Sequence, residues 1–178
     1  MSAEPPILIA VVGSGEATPQ EIAWAYEVGR RLAAAGAIVV CGGRGGVMEA
    51  VCRGAAEVGG ITVGILPGSE HREANPYVRI PLPTGLGEVR NALVVRAAHA
   101  VIAIGGEFGT LSEIALALKW GIPVVGLRTW CLNRPGVSVP IHEVSSPEEA
   151  VDRALALARA YRRPRPASLS SPSSSTGC

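Results

Sequence analysis

Apolar residues along this chain occur in short uninterrupted runs, and these runs alternate with segments of helical periodicity. A short apolar run bounded by glycine or proline is typical of a strand that is buried on both faces. The runs are ILIAVV at 7–12, AIVVC at 37–41, ITVGIL at 61–66, AVIAI at 100–104 and IPVVGL at 122–127. VPIHEV at 139–144 is a candidate last strand, and a further short strand is predicted at 77–80 within the irregular, proline- and glycine-rich segment 69–86.

The segments between the runs predict helices at 18–35, 47–58, 87–98, 110–119 and 146–161. Thr18 to Glu21 and Ser146 to Glu149 both have the capping-box sequence, with a proline in the first turn. Strands that alternate with helices form right-handed units around a parallel sheet. The prediction is therefore an α/β protein with a Rossmann-like doubly wound parallel sheet and helices on both faces.

One domain is expected over residues 1–161, followed at 162–178 by RRPRPASLSSPSSSTGC, which has the composition of a disordered Ser/Pro-rich tail. The net charge of +1 argues against a nucleic-acid-binding surface. No apolar run is long enough to cross a membrane, and MSAEPP does not resemble a secretory signal, so a cytoplasmic protein is expected. The four cysteines and three histidines lack the spacing of a zinc site, so no metal and no resident cofactor are predicted.

Glycine-rich turns follow three of the predicted strands: GSG at 13–15, GGRGG at 42–46 and GGEFGT at 105–110. The carboxyl ends of parallel strands lie at one edge of the sheet, where such folds bind ligands. Glycine turns that open helices expose backbone N–H groups and bind phosphate, although glycines also serve simply as tight turns. The candidate residues in the first two turns are Gly13, Ser14, Gly42, Gly43, Arg44, Gly45 and Gly46.

Two common phosphate-binding classes are disfavoured. No GxxxxGK[ST] sequence is present, which argues against a P-loop NTPase. GSGEAT lacks the third glycine of the dinucleotide fingerprint, and the second strand ends in CGGRGG rather than at an acidic residue, which argues against NAD.

The Thr110-x-x-Glu113 sequence has two interpretations. Thr110 and Glu113 can form a capping box, which is a purely structural role. Alternatively, Glu113 lies in the ligand crevice, where Arg90 on the preceding helix is a candidate to balance its charge. The residues alone leave both interpretations open.

Three segments, GGRGGVMEAV, EVRNALVVRAAHAVIAIGGEFGTLSEIALAL and GIPVVGL, resemble the LONELY GUY (LOG) family and its wider LOG-like Rossmann superfamily. The hallmark of that family is PGGxGTxxE, preceded by an arginine on a helix. The resemblance implies that Arg90 and Glu113 are catalytic and that Gly106, Gly109 and Thr110 form a phosphate-binding loop. It further implies a homodimer that hydrolyses the N-glycosidic bond of a nucleoside 5′-monophosphate, AMP or a cytokinin riboside monophosphate, to free base and ribose 5-phosphate.

The chain departs from the family motif at three positions beside this loop. Gly105 stands in place of the proline, Glu107 in place of the second glycine, and Asn91 in place of a lysine. Gly105 and Asn91 are kept as candidate ligand-binding residues. The departures leave open a second function, a non-catalytic binding or carrier protein for a nucleotide or a molybdenum-cofactor-like phosphate ligand.

A pyridoxal-phosphate lysine decarboxylase, a label once applied to such sequences, is disfavoured. That chemistry needs a lysine in the site. The single lysine, Lys119, closes the helix that follows GGEFGT and is expected about 13 Å from the crevice.

Overall fold

The computed structural model describes residues 5–161, so the predicted disordered tail lies outside the described residues. One seven-stranded sheet has the order β4-β3-β2-β1-β5-β6-β7, and all of its pairs are parallel. The strands are β1 (Leu8–Gly13), β2 (Ile38–Cys41), β3 (Thr62–Leu66), β4 (Ile80–Pro83), β5 (Ala100–Ile104), β6 (Val124–Leu127) and β7 (Ile141–Val144). The helices are α1 (Pro19–Ala34), α2 (Val47–Glu57), α3 (Asn91–Ala97), α4 (Phe108–Lys119) and α5 (Pro147–Ala160).

Helices cover both faces of the sheet, as predicted, because successive side chains of a strand point to opposite faces. Ile9 and Val11 of β1 pack in the core beneath α1, α2 and α5. Ala10 and Val12 pack in a second core beneath α3 and α4. The predicted α/β doubly wound fold is thus confirmed.

The strand order reverses between β1 and β5. Strands β2, β3 and β4 extend to one side of β1, whereas β5, β6 and β7 extend to the other. In doubly wound sheets the crevice at this reversal, beyond the carboxyl ends of the strands, is where ligands bind. The fold therefore brings the ends of β1 and β5 together at the expected binding position.

Helix α1 begins at the capping box that the sequence predicts. The amide of Glu21 donates to Thr18 Oγ1 at 3.3 Å, and the Thr18 amide donates to Glu21 Oε2 at 2.8 Å. At α5 the Glu149 amide donates to Ser146 Oγ at 3.2 Å, but the Glu149 carboxylate accepts from Ser145 instead, at 3.0 Å.

Helices α1 and α2 pack closely because each has a glycine at the contact. A Cβ added to Gly29 would overlap the carbonyl of Val51, and one added to Gly54 would overlap the carbonyl of Tyr26. Both glycines are buried within helices, where glycine is intrinsically unfavourable. Close packing of the two backbones is the physical reason for their presence.

The strand predicted at 77–80 and the helix predicted at 87–98 differ from the structure. The short strand predicted at 77–80 forms instead at Ile80–Pro83. It lies at the edge of the sheet, where its two prolines remove no hydrogen bond from the sheet interior. The helix predicted at 87–98 begins as a 3-10 turn at Gly87–Arg90 and becomes α-helical at Asn91.

The capping box proposed for Thr110 and Glu113 is wrong. Helix α4 begins at Phe108 with Glu107 as its N-cap, so Thr110 is already the third helical residue. Gly105 and Gly106 both have positive φ, 51° and 98°, and this turn reverses the chain early enough for the helix to start before Thr110.

None of the helices within residues 5–161 combines the length and the apolar character that a membrane span requires.

Candidate functional site

A cavity of about 230 Å³ lies at the reversal of strand order, at the carboxyl edge of the sheet. The predicted residues that line it are Gly13, Ser14, Gly42, Arg90, Asn91, Gly109, Thr110 and Glu113. The other predicted residues, Gly43, Arg44, Gly45, Gly46, Gly105 and Gly106, do not line it and form the turns around it. All three glycine turns nevertheless meet at this edge, as the parallel sheet requires.

The backbone of the GGEFGT turn excludes the proline of the LOG motif and accommodates Glu107. Gly105 has φ of 51°, which a proline ring, with its φ fixed near about −65°, cannot adopt. A side chain at Gly105 would also overlap the Glu21 carboxylate. Glu107, by contrast, has φ of −107° and an extended conformation that any residue tolerates.

The loop after β6 holds the GGEFGT turn in place. The amide of Gly105 donates to the Leu127 carbonyl at 3.2 Å, and Thr129 Oγ1 donates to the Gly105 carbonyl at 2.5 Å. Trp130 Nε1 donates to the Glu107 carbonyl at 3.2 Å. Sequence analysis did not identify Thr129 or Trp130, because they follow a strand without any motif.

Arg90 enters the cavity from the last position of the 3-10 turn that precedes α3 and is only 8% exposed. Its Nη1 donates to Asn91 Oδ1, and its Nη2 donates to the Gly42 carbonyl at 3.4 Å. Among the described residues, its Nε has no hydrogen-bond partner. Burial lowers the pKa of Arg90 and the Glu113 carboxylate opposes that effect, but a guanidinium in a protein stays charged.

Glu113 lies on α4 and is 6% exposed. Burial raises the pKa of Glu113 to about 7, and the Arg90 charge limits the rise. A carboxyl group with such a pKa exchanges its proton near neutral pH, which suits either general acid-base chemistry or binding coupled to proton uptake. This property follows from its position in the fold and could not be read from the sequence.

The cavity contains more acidic than basic groups. Arg90 faces Glu113 together with Glu107, which the departure from the LOG motif already placed beside the loop, and Glu88, which sequence analysis did not place in the site. Arg44, which was predicted to contact a phosphate, lies outside the cavity with its Nη1 at 4.0 Å from Glu73 Oε2 and its side chain 52% exposed. Arg90 is thus the only cation among the described residues that line the cavity.

Three further side chains can be located relative to the cavity. Trp24 packs against the core. Met48 packs there as well and also lines the cavity. Lys119 is the last residue of α4, at the end of the helix remote from the cavity, as the argument against a lysine decarboxylase assumes.

Comparison with known proteins gives the family of this chain. Residues 6–155, which include every residue of the cavity, match a model described as the SLOG cluster4 family. An uncharacterized protein of Archaeoglobus fulgidus is 40% identical over 144 residues, which are 81% of this chain and 91% of that protein.

Two solved structures share both the fold and substantial sequence identity. The molybdenum cofactor binding protein of Rippkaea orientalis has a TM-score of 0.81 at 36% identity, covering 87% of this chain and 99% of its own. The molybdenum cofactor carrier protein of Chlamydomonas reinhardtii has a TM-score of 0.77 at 32% identity, covering 86% of this chain and 98% of its own.

Proposed function

This chain belongs to the SLOG cluster4 family, within the LOG-like superfamily that its motifs resemble. We propose that it binds and carries a phosphate-bearing ligand of the molybdenum-cofactor type and does not catalyse a reaction of that ligand. Support comes from relatives named for binding and for carrying the molybdenum cofactor, which align with this chain over nearly their whole length. Such a ligand is cargo that the protein holds and releases.

The observation that carries the proposal is the buried Arg90. A charged N–H group that is removed from water and left without a partner is costly, so its Nε needs an acceptor. A phosphate oxygen of a ligand is a strong acceptor for a guanidinium. Gly109 and Thr110, in the first turn of α4, line the same cavity, and the first amides of a helix attract anions.

The acidic groups of the cavity couple the binding of a phosphate to the protonation of Glu113. A phosphate next to three ionised carboxylates and one arginine would be repelled, whereas protonation of Glu113 removes part of that repulsion. Binding would then be accompanied by proton uptake at Glu113. In this proposal Glu113 adjusts the charge of the site, and Arg90 holds the ligand.

Hydrolysis of a nucleoside 5′-monophosphate is the second candidate, and the same pair of side chains favours it. Glu113 and Arg90 are the residues that the LOG resemblance makes catalytic, and both lie in the cavity. A carboxyl group can assist departure of a base through an oxocarbenium-like sugar, as carboxylates do in glycosidases. The pKa of Glu113, near 7, suits proton transfer to the base.

One set of variants tests both candidates. The wild type, Arg90→Ala and Glu113→Gln would be purified under anaerobic conditions and assayed for bound molybdenum and pterin. The same proteins would be incubated with AMP and with isopentenyladenosine monophosphate, and free base would be measured by chromatography. Arg44→Ala is the matched control, because it removes an arginine that lies beside the cavity without lining it.

If the protein is a carrier, the wild type and Arg44→Ala should retain pterin and Arg90→Ala should lose it. None of these proteins should release free base. Base released by the wild type and lost in Glu113→Gln would replace the carrier with the hydrolase. If no protein retained pterin and none bound inorganic phosphate in a direct binding measurement, the phosphate site itself would be refuted.

A homodimer is part of the proposed function. Val89 is 73% exposed and Leu93 is 42% exposed. The two residues are four positions apart, on the segment that also carries Arg90. Ile80 and Leu82, on the edge strand β4, are also exposed. Exposed large apolar side chains at neighbouring elements mark interaction surfaces, and we place the subunit contact there.

A further inference from the structure

We propose that Phe108 and Trp130 form an aromatic platform that stacks on the planar nitrogen heterocycle of the ligand whose phosphate lies in the cavity. This inference rests on the proposed function, because it extends the same site. It assigns the ligand to the class of phosphate-bearing heteroaromatic compounds, whether the ring is a nucleobase or a pterin. It also gives the exposed Phe108 a role in ligand recognition.

The cavity is smaller than most small-molecule pockets, so we expect a ligand with a ring to continue outside it. The cavity measures about 230 Å³, whereas pockets for small molecules usually measure roughly 300–1,000 Å³. A second cavity of about 460 Å³ lies at the carboxyl ends of β6 and β7, and Trp130 lines it. Glu107 lines the first cavity, and its carbonyl accepts the hydrogen bond from Trp130, so the two cavities are neighbours across this contact.

Phe108 is exposed where an apolar ring is least expected to be. It is the only phenylalanine of the chain, and it is 78% exposed. It lies between Glu107 and Gly109, both of which line the first cavity. Large apolar side chains are normally buried, so an exposed ring between two residues that line a polar cavity points to a contact with something outside the chain.

The two rings form one surface. The Phe108 and Trp130 ring centroids are 5.6 Å apart with an interplanar angle of 36°. Because the Trp130 indole donates to the Glu107 carbonyl, its ring is fixed before any ligand arrives. A rigid aromatic surface stacks on a heterocycle at little entropic cost, and stacking tolerates different rings because each has a π-face.

The backbone that leads to Trp130 is in an unusual conformation. Arg128 has φ of 52° and is the only non-glycine residue with positive φ among residues 5–161. Such a conformation costs free energy and persists where the surrounding structure fixes it. Here the neighbouring contacts of Thr129 with Gly105 and of Trp130 with Glu107 fix it, which positions the second ring against the first.

The test compares ligands with and without a ring. Dissociation constants for AMP, GMP, hydroxymethylpterin phosphate, ribose 5-phosphate and inorganic phosphate would be measured by calorimetry on the full chain. The variants are Phe108→Ala, Trp130→Leu, and Trp130→Phe, which keeps a ring but loses the indole donor. Val58→Ala is the matched control, an exposed apolar residue at the C-terminal end of α2.

We expect at least one ring-bearing phosphate to bind about tenfold more tightly than ribose 5-phosphate, as aromatic stacking on a base provides. Phe108→Ala should remove most of that advantage and leave the affinity for ribose 5-phosphate unchanged, and Trp130→Phe should retain more of it than Trp130→Leu. The nucleotide and pterin arms identify which ring the platform prefers.

Each failure has a distinct signature. Ring-bearing ligands that bind no better than ribose 5-phosphate, or an advantage that survives Phe108→Ala, would overturn the platform and leave the phosphate site intact. A change of oligomeric state in Phe108→Ala with an unchanged advantage would assign the ring to a subunit contact and also overturn it. No binding of any of the five compounds would overturn the proposed function together with the platform.

Discussion

Replacement of Glu113 by glutamine should stabilise this protein above neutral pH. The ordinary pKa of a glutamate is 4.5, and burial raises that of Glu113 to about 7. A difference of about 2.5 pH units, at 1.36 kcal/mol per unit, makes the ionised folded state roughly 3 kcal/mol less stable than it would be without this effect. That is a large share of the ~5–15 kcal/mol by which a domain of ordinary stability is folded.

The direction of the pH dependence follows from proton binding. Between pH 4.5 and about 7 the folded state holds a proton on Glu113 that the unfolded state has lost. The stability that this proton provides is complete below the unfolded pKa and is lost as the pH rises through the folded pKa. Glutamine has no such proton to lose, so the variant should lack this part of the pH dependence and gain most over the wild type above pH 7.

Chemical denaturation at a series of pH values from 5 to 8.5 measures the effect. Glu107→Gln is the matched control, because it removes an exposed carboxylate from the same cavity. The expected result is a gain for Glu113→Gln of up to about 3 kcal/mol at the upper end of the range, which shrinks toward pH 5. Parallel profiles for the wild type and Glu113→Gln would refute the claim that a buried carboxyl is being ionised.

The same variant distinguishes the two proposed functions. In a carrier the neutral glutamine removes a charge that repels the ligand, so affinity for ribose 5-phosphate above pH 7 should rise. In a hydrolase the loss of the carboxyl group should abolish release of base whatever happens to affinity. Weaker phosphate binding together with unchanged stability would contradict the charge-adjusting role given to Glu113.

Three further changes test the fold and the proposed assembly. Gly105→Pro restores the residue of the LOG motif, yet it should lower the midpoint of thermal unfolding and weaken phosphate binding, because φ at this position is 51°. Gly54→Ala should destabilise the protein despite the better helix propensity of alanine, since the added Cβ would overlap the Tyr26 carbonyl; a gain in the denaturation midpoint would show that the helices can separate without cost. The double change Val89→Asp and Leu93→Asp should convert a dimer to a monomer in analytical ultracentrifugation with the monomer still folded, and an unchanged sedimentation coefficient would place the subunit contact elsewhere.

The sequence predicted the fold well because the apolar runs of this chain are nearly continuous. A strand such as AVIAI at 100–104 is buried at every position, which is the pattern of a parallel sheet covered on both faces. Convergence of the glycine turns followed from the topology and needed no knowledge of side chains. These inferences depended on the spacing of apolar residues and on the order of elements along the chain, both of which can be read directly from a sequence.

Features that depend on backbone torsion and on contacts between loops could not be predicted in this way. Thr110-x-x-Glu113 matches a capping box, but the positive φ of Gly105 and Gly106 starts α4 before Thr110. Trp130 lies in a loop without a sequence pattern, and its hydrogen bond to the Glu107 carbonyl has no signal in the sequence. The pKa of Glu113 likewise arises from burial by the whole fold.

The departures from the LOG motif become consistent with one another in the structure. Gly105 permits a turn that proline would forbid, and Glu107 occupies an extended position whose carbonyl is held by Trp130. Beside this turn the cavity gains the carboxylate of Glu107 and, through Asn91, contains no lysine next to Arg90. Under the proposed function, a site with one buried guanidinium among carboxylates would bind an anion best when Glu113 is protonated and would release it as the pH rises. Reversible capture of this kind suits a carrier, and it depends on the same buried carboxyl group that limits the stability of the empty protein.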